Sequence, residues 1–248
     1  MTILDRKLAR IADFITAGVT ARTAAEIMEL LCVPGLSAQE LSEARLYPEY
    51  LPAGTNAFTE ETRCLHFLWD SLDRSPLCSA VNFAIPLRRL IAGKLFKKCG
   101  ADFTCERNVR FNFGPNIEVG DNVFFNEGVF LDSKGGIQIG NHSALAEFVV
   151  VFTHNHNESR HAQRTYAPVV IGDYCKIYTH AMLLPGITVR RQGIVAACAL
   201  VAHDVPENTL VAGIPARAVR PRETCGRNGA ELEHVWLSPG SFSEQAGS

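Results

Sequence analysis

Between Val119 and Ala216 an aliphatic or similar residue returns every six positions. The series runs Val119, Phe125, Leu131, then Ile139, Leu145, Val151, and after one interruption Ile171, Ile177, Leu183, Val189, Val195 and Val201. A small or apolar residue falls four places after most of them, among them Val123, Val129, Ser143, Val149, Cys175, Ala181, Ile187, Ala199 and Val205. A period of six fits neither a 3.6-residue helix nor a two-residue strand alternation. It predicts a parallel β-helix, short strands joined by tight turns with three units to a triangular coil. Each strand buries one inward aliphatic side chain, and stacking merges these into one continuous core. A β-sandwich, with strands roughly every 8–12 residues, would not hold a six-residue register over so many units. The glycine, asparagine and aspartate that follow, as in Val119-Gly120-Asp121-Asn122, Ile139-Gly140-Asn141-His142 and Ile171-Gly172-Asp173-Tyr174, are expected to supply corners with positive φ.

The first hundred residues follow a different rhythm. Leu4, Leu8, Ile11 and Ile15 recur at helical spacing, and Thr23-Ala24-Ala25-Glu26 and Ser37-Ala38-Gln39-Glu40 read as capping boxes that open further helices. Pro34-Gly35 and Pro52-Ala53-Gly54 punctuate them. A helix-turn-helix drawn through Thr23 to Leu46 would have few basic residues to meet phosphate. A further helical stretch, Glu60 to Lys98, ends in a basic amphipathic run, Leu87 to Lys98. That run suits a cap over the open end of the β-helix better than a membrane-surface helix. The expected organisation is an α-helical region and cap over 1–103, the β-helix over 104–220, and a polar tail over 221–248, with Gly240 to Ser248 loose.

Composition narrows the classes. The 248 residues are 47% hydrophobic, enough for a sizeable core. A formal charge of −2 gives no reason to expect nucleic acid. Charges interrupt Met1 to Gly18, so no secretory signal is expected. The longest apolar candidate, Ala80 to Phe96, is broken by Pro86, Arg88, Arg89 and Lys94, which leaves no bilayer span. Eight cysteines with no Cys-x-x-Cys pair read as reduced structural thiols, and cytoplasmic placement follows.

The interruption after Val151 carries the candidate chemistry. Phe152 to Pro168 leaves the repeat as a projecting loop and holds His154, His156 and His161. Loops on rigid scaffolds concentrate function, and histidine suits general-base work near neutral pH. A metal site is the rival reading, yet the loop has no cysteine, and its carboxylate, Glu158, sits at no ligand spacing.

From about Thr104 to Arg220 the chain resembles the hexapeptide-repeat O-acetyltransferases, the group that includes maltose, galactoside and nodulation-factor acetyltransferases. The shared wording is Ile117 to Phe124, the loop Phe152-Thr153-His154-Asn155-His156, Ala167 to Asp173, Leu184 to Val189, and Val211 to Arg217. The resemblance implies a left-handed β-helix, a homotrimer with active sites between subunits, and acetyl-CoA lying in the groove of two adjacent prisms. It also implies transfer of an acyl group to a hydroxyl of a sugar, glycan or small metabolite. The family's catalytic histidine lies in a motif of the type Tyr-Thr-Ala-Thr-His-Pro. Laid without a gap, it falls on His156, whereas His154 matches only a shortened loop. Asn126 and Asp132, on the preceding coil, are then expected to contact the acceptor or orient the base, with Glu158 a weaker candidate.

The stretch that lines the cofactor groove in relatives departs from the family wording at Lys176-Ile177-Tyr178, Val189-Arg190-Arg191, Ala196-Ala197-Cys198-Ala199 and Ala202-His203-Asp204. Small residues such as Ala197 and Ala202 leave room for a pantetheine arm. Lys176, Arg190, Arg191, Arg217 and Arg220 are cations suited to phosphate. Two other classes stay open. One is a trimeric scaffold that has lost its chemistry; the other is a carbonic-anhydrase-like metalloenzyme using His142, His154, His156, His161 and His180.

Overall fold

A computed structural model describes residues 1–50 and 58–232. The expected turn at Pro52-Ala53-Gly54 and the tail from Gly240 to Ser248 lie outside the described residues. From Lys98 onward short parallel strands stack into three sheets, the faces of a β-solenoid of about six turns. The first face stacks Lys98–Cys99, Ile117–Val119, Ile137–Ile139, Val169–Ile171 and Thr188–Val189. The second runs from Thr104–Cys105 through Phe124–Phe125, Ala144–Leu145, Lys176–Ile177 and Ile194–Val195 to Thr209–Ala212, where the antiparallel strand Arg217–Pro221 closes it. The third stacks Arg110–Phe111, Phe130–Asp132, Val150–Phe152, Met182–Leu183 and Leu200–Val201. The first rung therefore begins ahead of Thr104, the residue at which the repeat-bearing part was expected to start.

All twelve residues of the six-residue series point inward and are at most 3% exposed, which is the continuous core that the period requires. Coil length is not constant. Val119 pairs with Ile139, twenty residues on, whereas Ile171 pairs with Val189, eighteen residues on. The extra residues form short 3-10 turns at Gly114–Asn116 and Ser133–Gly135, both at the corner between the third face and the first. The interruption after Val151 leaves from the same corner one coil later. Stacking survives it, since Ile137–Ile139 pairs in register with Val169–Ile171.

The corner glycines do not have the role expected of them. Positive φ falls two residues after each, on Asn122 (51°), His142 (56°) and Tyr174 (60°). The glycines are instead sites of close approach between coils. A Cβ on Gly120 would lie 2.5 Å from Asn141 Oδ1, and one on Gly140 would lie 2.5 Å from Asp173 Oδ1. Those side chains cannot move aside, because each accepts a backbone N–H of the coil below: Asp121 N donates to Asn141 Oδ1 at 2.8 Å, and Asn141 N to Asp173 Oδ1 at 2.6 Å.

Among the described residues five α-helices precede the solenoid: α1 (Ile3–Ala17), α2 (Ala21–Leu30), α3 (Ala38–Glu43), α4 (Glu60–Leu72) and α5 (Val81–Leu95). The capping box at Ser37 and Glu40 forms as expected. That of α2 does not, because Thr20 and Thr23 make the box and Thr23 to Glu26 lie inside the helix. The reason is long-range. Glu61 and Glu60 of α4 accept the amides of Val19 at 3.2 Å and Ala21 at 2.9 Å, which fixes where the helix starts. α5 covers the open end of the prism. Phe96 packs against Phe103 and Phe111, and Trp69 donates its indole N–H to the Val109 carbonyl at 2.8 Å. Arg88, in the basic run, turns inward to pair with Asp73 and lies 5.0 Å over the Trp69 ring.

Candidate functional site

The corner that lengthens in successive coils also carries the candidate chemistry. Beyond Phe152 the chain forms not an irregular loop but an antiparallel hairpin, His154–His156 against Arg164–Tyr166. Asn157 builds its turn by accepting the amides of Ser159 and Arg160 at 3.0 and 2.9 Å. The root is fixed by Thr153, which is fully buried. Its hydroxyl donates to the Asp132 carbonyl and accepts the Gly135 amide at 2.7 Å, while its carbonyl accepts the Ala167 amide at 3.0 Å. The hairpin thus stands on the expanded corner of the coil below.

Asp132 ends the third-face strand of that coil and is 1% exposed. Three donors saturate its carboxylate. Oδ1 accepts from Asn112 Nδ2 at 2.6 Å and from Lys134 Nζ, and Oδ2 pairs with His154 Nδ1. Facing a carboxylate oxygen, His154 Nδ1 is the donor of that pair, and its Nε2 is turned outward. His156 stands beside it, the two Nε2 atoms 3.3 Å apart. The Nδ1 of His156 faces the carbonyl of His161 at 2.8 Å, so that nitrogen also carries the hydrogen, and the His161 ring stacks on His156 at 4.0 Å. The two Nε2 atoms are within hydrogen-bond distance, so that one ring can donate to the other.

Of the residues singled out in the sequence, Asp132, His154 and His156 form one chain of contacts. Asn126 does not join it; it lies past the second-face strand and donates to Glu147 at 2.7 Å. Glu158 is exposed in the hairpin turn. The residues proposed for the cofactor do not form one cluster within this chain. Lys176 lies on the second face, where burial and then Arg222 push its ammonium down to about 8. Ala197 is exposed at the corner between the second and third faces, and Ala202 follows the third-face strand. Arg217 and Arg220 are exposed on the closing strand. Arg190 pairs with Asp204, and Arg191 with Glu207 and the Tyr174 ring. His142 and His180 occupy the other two corners, stacked on Tyr174 and Phe148. Among the described residues no group of three or more His, Cys, Asp or Glu side chains is arranged to hold a metal ion, and no helix is long and apolar enough to cross a membrane.

Sequence reasoning missed Asn112, Lys134 and Arg164. Asn112 stands twenty residues before Asp132, one coil length, which is the signal that would have found it. Lys134 is two residues from Asp132 on the 3-10 turn. Arg164 becomes a neighbour of His156 only through hairpin pairing.

No family model matches the chain. The galactoside O-acetyltransferase of Escherichia coli (strain K12) is 28% identical over 137 residues, which cover 54% of this chain and 68% of that enzyme. A putative acetyltransferase of Saccharomyces cerevisiae is 30% identical over 131 residues, covering 51% of this chain and 67% of the relative. Among solved structures, a hexapeptide-repeat acetyltransferase of Vibrio cholerae complexed with acetyl-CoA superposes with a TM-score of 0.60 at 25% identity, over 74% of this chain and 99% of the other. The stacked six-residue repeat, the shared motifs and these likenesses agree: the chain belongs to the hexapeptide-repeat acetyltransferases, enzymes that draw their acetyl group from acetyl-CoA.

Proposed function

We propose that the enzyme moves the acetyl group of acetyl-CoA to a hydroxyl of a sugar, glycan or other small hydroxylated acceptor, with His156 as the general base. The observation that carries this reading is the Asp132–His154–His156 chain. His154 lies against the buried carboxylate, and His156 is the ring beyond it in the chain. As the acceptor oxygen attacks the thioester carbonyl, a C–O bond forms and the hydroxyl proton passes to Nε2 of His156. His154, backed by Asp132, shares that proton until the C–S bond breaks and the proton returns to the departing sulfur. A positioned base of this kind contributes about 10²–10⁴-fold. Sugar acceptors are favoured because the Escherichia coli relative bears the name of a galactoside O-acetyltransferase.

The working unit is proposed to be a homotrimer with sites between prisms. The third face supports it. Phe130, Val150, Met182 and Leu200 form an outward apolar column across four rungs, next to Asp132. Ala197, Ala202, Arg217, Arg220 and Lys176 are spread over two faces and a corner of one prism, an arrangement suited to a groove walled by two prisms. A cytoplasmic location agrees with eight free cysteines and a requirement for acetyl-CoA.

The test is acetyl-CoA-dependent thiol release over a panel of hydroxylated acceptors, with CoA affinity and light-scattering mass measured on the same preparations. His156→Ala is expected to lose at least about 10²-fold in turnover while CoA binding and mass stay unchanged. His154→Ala should lose less. Retention of more than about a tenth of turnover by His156→Ala would overturn the assignment, and a larger loss in His154→Ala would move the role to that ring.

A further inference from the structure

Arg164 stands directly across the hairpin from His156, and Tyr166 directly across from His154. Such partners project from the same side of an antiparallel pair, so both histidines, the arginine and the tyrosine share one face. The Nε and Nη1 atoms of Arg164 are buried and have no hydrogen-bond partner among the described residues. A guanidinium does not shed its charge to relieve this, and buried N–H groups of a cation are among the costliest to leave unpaired.

The surroundings supply no anion. The hairpin face around Arg164 is histidine and tyrosine, and Asp132, the carboxylate nearest the histidines, is already filled by Asn112, Lys134 and His154. Lys134, 8% exposed, is paired with Asp132 and leaves none of that carboxylate's charge for Arg164. With Lys134 and Asp132 balancing each other, Arg164 is left as an unbalanced cation with two unpaired donors.

We propose that Arg164 is an anion subsite for the acceptor, taking a carboxylate or phosphate carried by the molecule whose hydroxyl is acetylated. The inference rests on the reading of the histidine pair as the base. Position separates this role from a contact to the cofactor. The thioester carbon must meet the hydroxyl at the histidines, and the phosphates of CoA then lie a full pantetheine arm away, out of reach of a side chain across from His156. A sugar acid or sugar phosphate carries its anion on the same ring as its hydroxyls or on the next one, a separation that two neighbouring hairpin residues span. The guanidinium of Arg164 can give either oxyanion a charge-assisted hydrogen bond.

The probes are glucuronate, glucose 6-phosphate and glucose, titrated into the full chain while the imidazole signals of His154 and His156 are followed by NMR. This readout does not depend on turnover. At least one of the two anionic probes is expected to saturate those shifts at concentrations where glucose has no effect, the responding anion telling carboxylate from phosphate. Arg164→Gln should weaken that binding at least about tenfold, the effect of losing one charge-assisted hydrogen bond, and Arg164→Lys should fall between. Unchanged histidine signals in the ligand-free variants establish that the hairpin is intact. Three results would each overturn the proposal: anionic and neutral probes behaving alike, Arg164→Gln binding as tightly as the unmodified protein, or a tenfold loss of CoA affinity in Arg164→Gln. Failure of the base reading shows separately, as thiol release that survives His156→Ala while His154 still reports anion binding.

Discussion

Asn112 reaches across one coil to donate its side-chain amide to Asp132 Oδ1 at 2.6 Å. With Lys134 and His154 on the same carboxylate, Asp132 both neutralises a buried ammonium and sets the orientation of the inner histidine.

These two roles separate by mutation. Asp132→Asn leaves Lys134 buried beside an amide, and removing one partner of such a pair costs about 3–5 kcal/mol. Turnover should fall at least about tenfold, because an amide that can turn its NH2 toward His154 replaces the carboxylate that fixes its tautomer. Adding Lys134→Met removes the unpaired charge, so denaturant melts of the double variant should recover most of the stability while thiol release stays low. Recovery of both together would reduce Asp132 to a structural residue.

A second expectation concerns acid. His66 in α4 is buried, stacks on Phe58 at 4.7 Å and accepts the Gly114 amide at 3.3 Å. Burial, only partly opposed by the charge of Glu49, pushes its imidazole down to about 3. Between about pH 6.5 and 3 the unfolded chain therefore binds a proton that the folded chain does not, and stability falls as pH falls through that window. The slope from this one group reaches about 1.4 kcal/mol per pH unit. His66→Gln keeps an acceptor for Gly114 and removes the titration. Its melting temperature should depend less steeply on pH between 6.5 and 4 than that of the unmodified protein, and equal slopes would show that His66 is not the group responsible.

The coil contacts give a paired expectation. Gly120→Ala drives a Cβ against Asn141, whose Oδ1 is held by the Asp121 amide, and overpacking of this kind costs about 1–3 kcal/mol. Gly93, exposed on α5, has nothing within 4 Å of the same added atom. Gly93→Ala should stabilise by about 0.5–1 kcal/mol, through the lower entropy of the unfolded chain and better helix propensity. Chemical denaturation of both variants checks the sign of each change. A neutral Gly120→Ala would mean that the coils separate more easily than the described contacts allow.

Much of the scaffold was legible in the sequence because a solenoid repeats one local solution, so Val119, Phe125 and Leu131 announce positions that recur coil after coil. The left hand came with the family resemblance, since a six-residue period is the same for either hand. What the sequence hid was set by contacts between coils or between domains. The close approach at Gly120 depends on a residue twenty positions later, and the start of α2 depends on Glu60 and Glu61. At the site, the two histidines and Asp132 were legible as residue types on neighbouring coils. The pairing of His156 with Arg164 needed the hairpin register, which no periodicity announces.

Because Ile137–Ile139 stacks in register on Val169–Ile171, the hairpin between them is a graft on an uninterrupted column. It is tied down at its root by Thr153, Gly135 and Ala167 rather than by the hydrophobic interior. Scaffold and reactive arm can therefore diverge independently. A descendant of this chain can exchange the hairpin for one of different length or charge, and so change what it modifies, while the prism beneath keeps the same core.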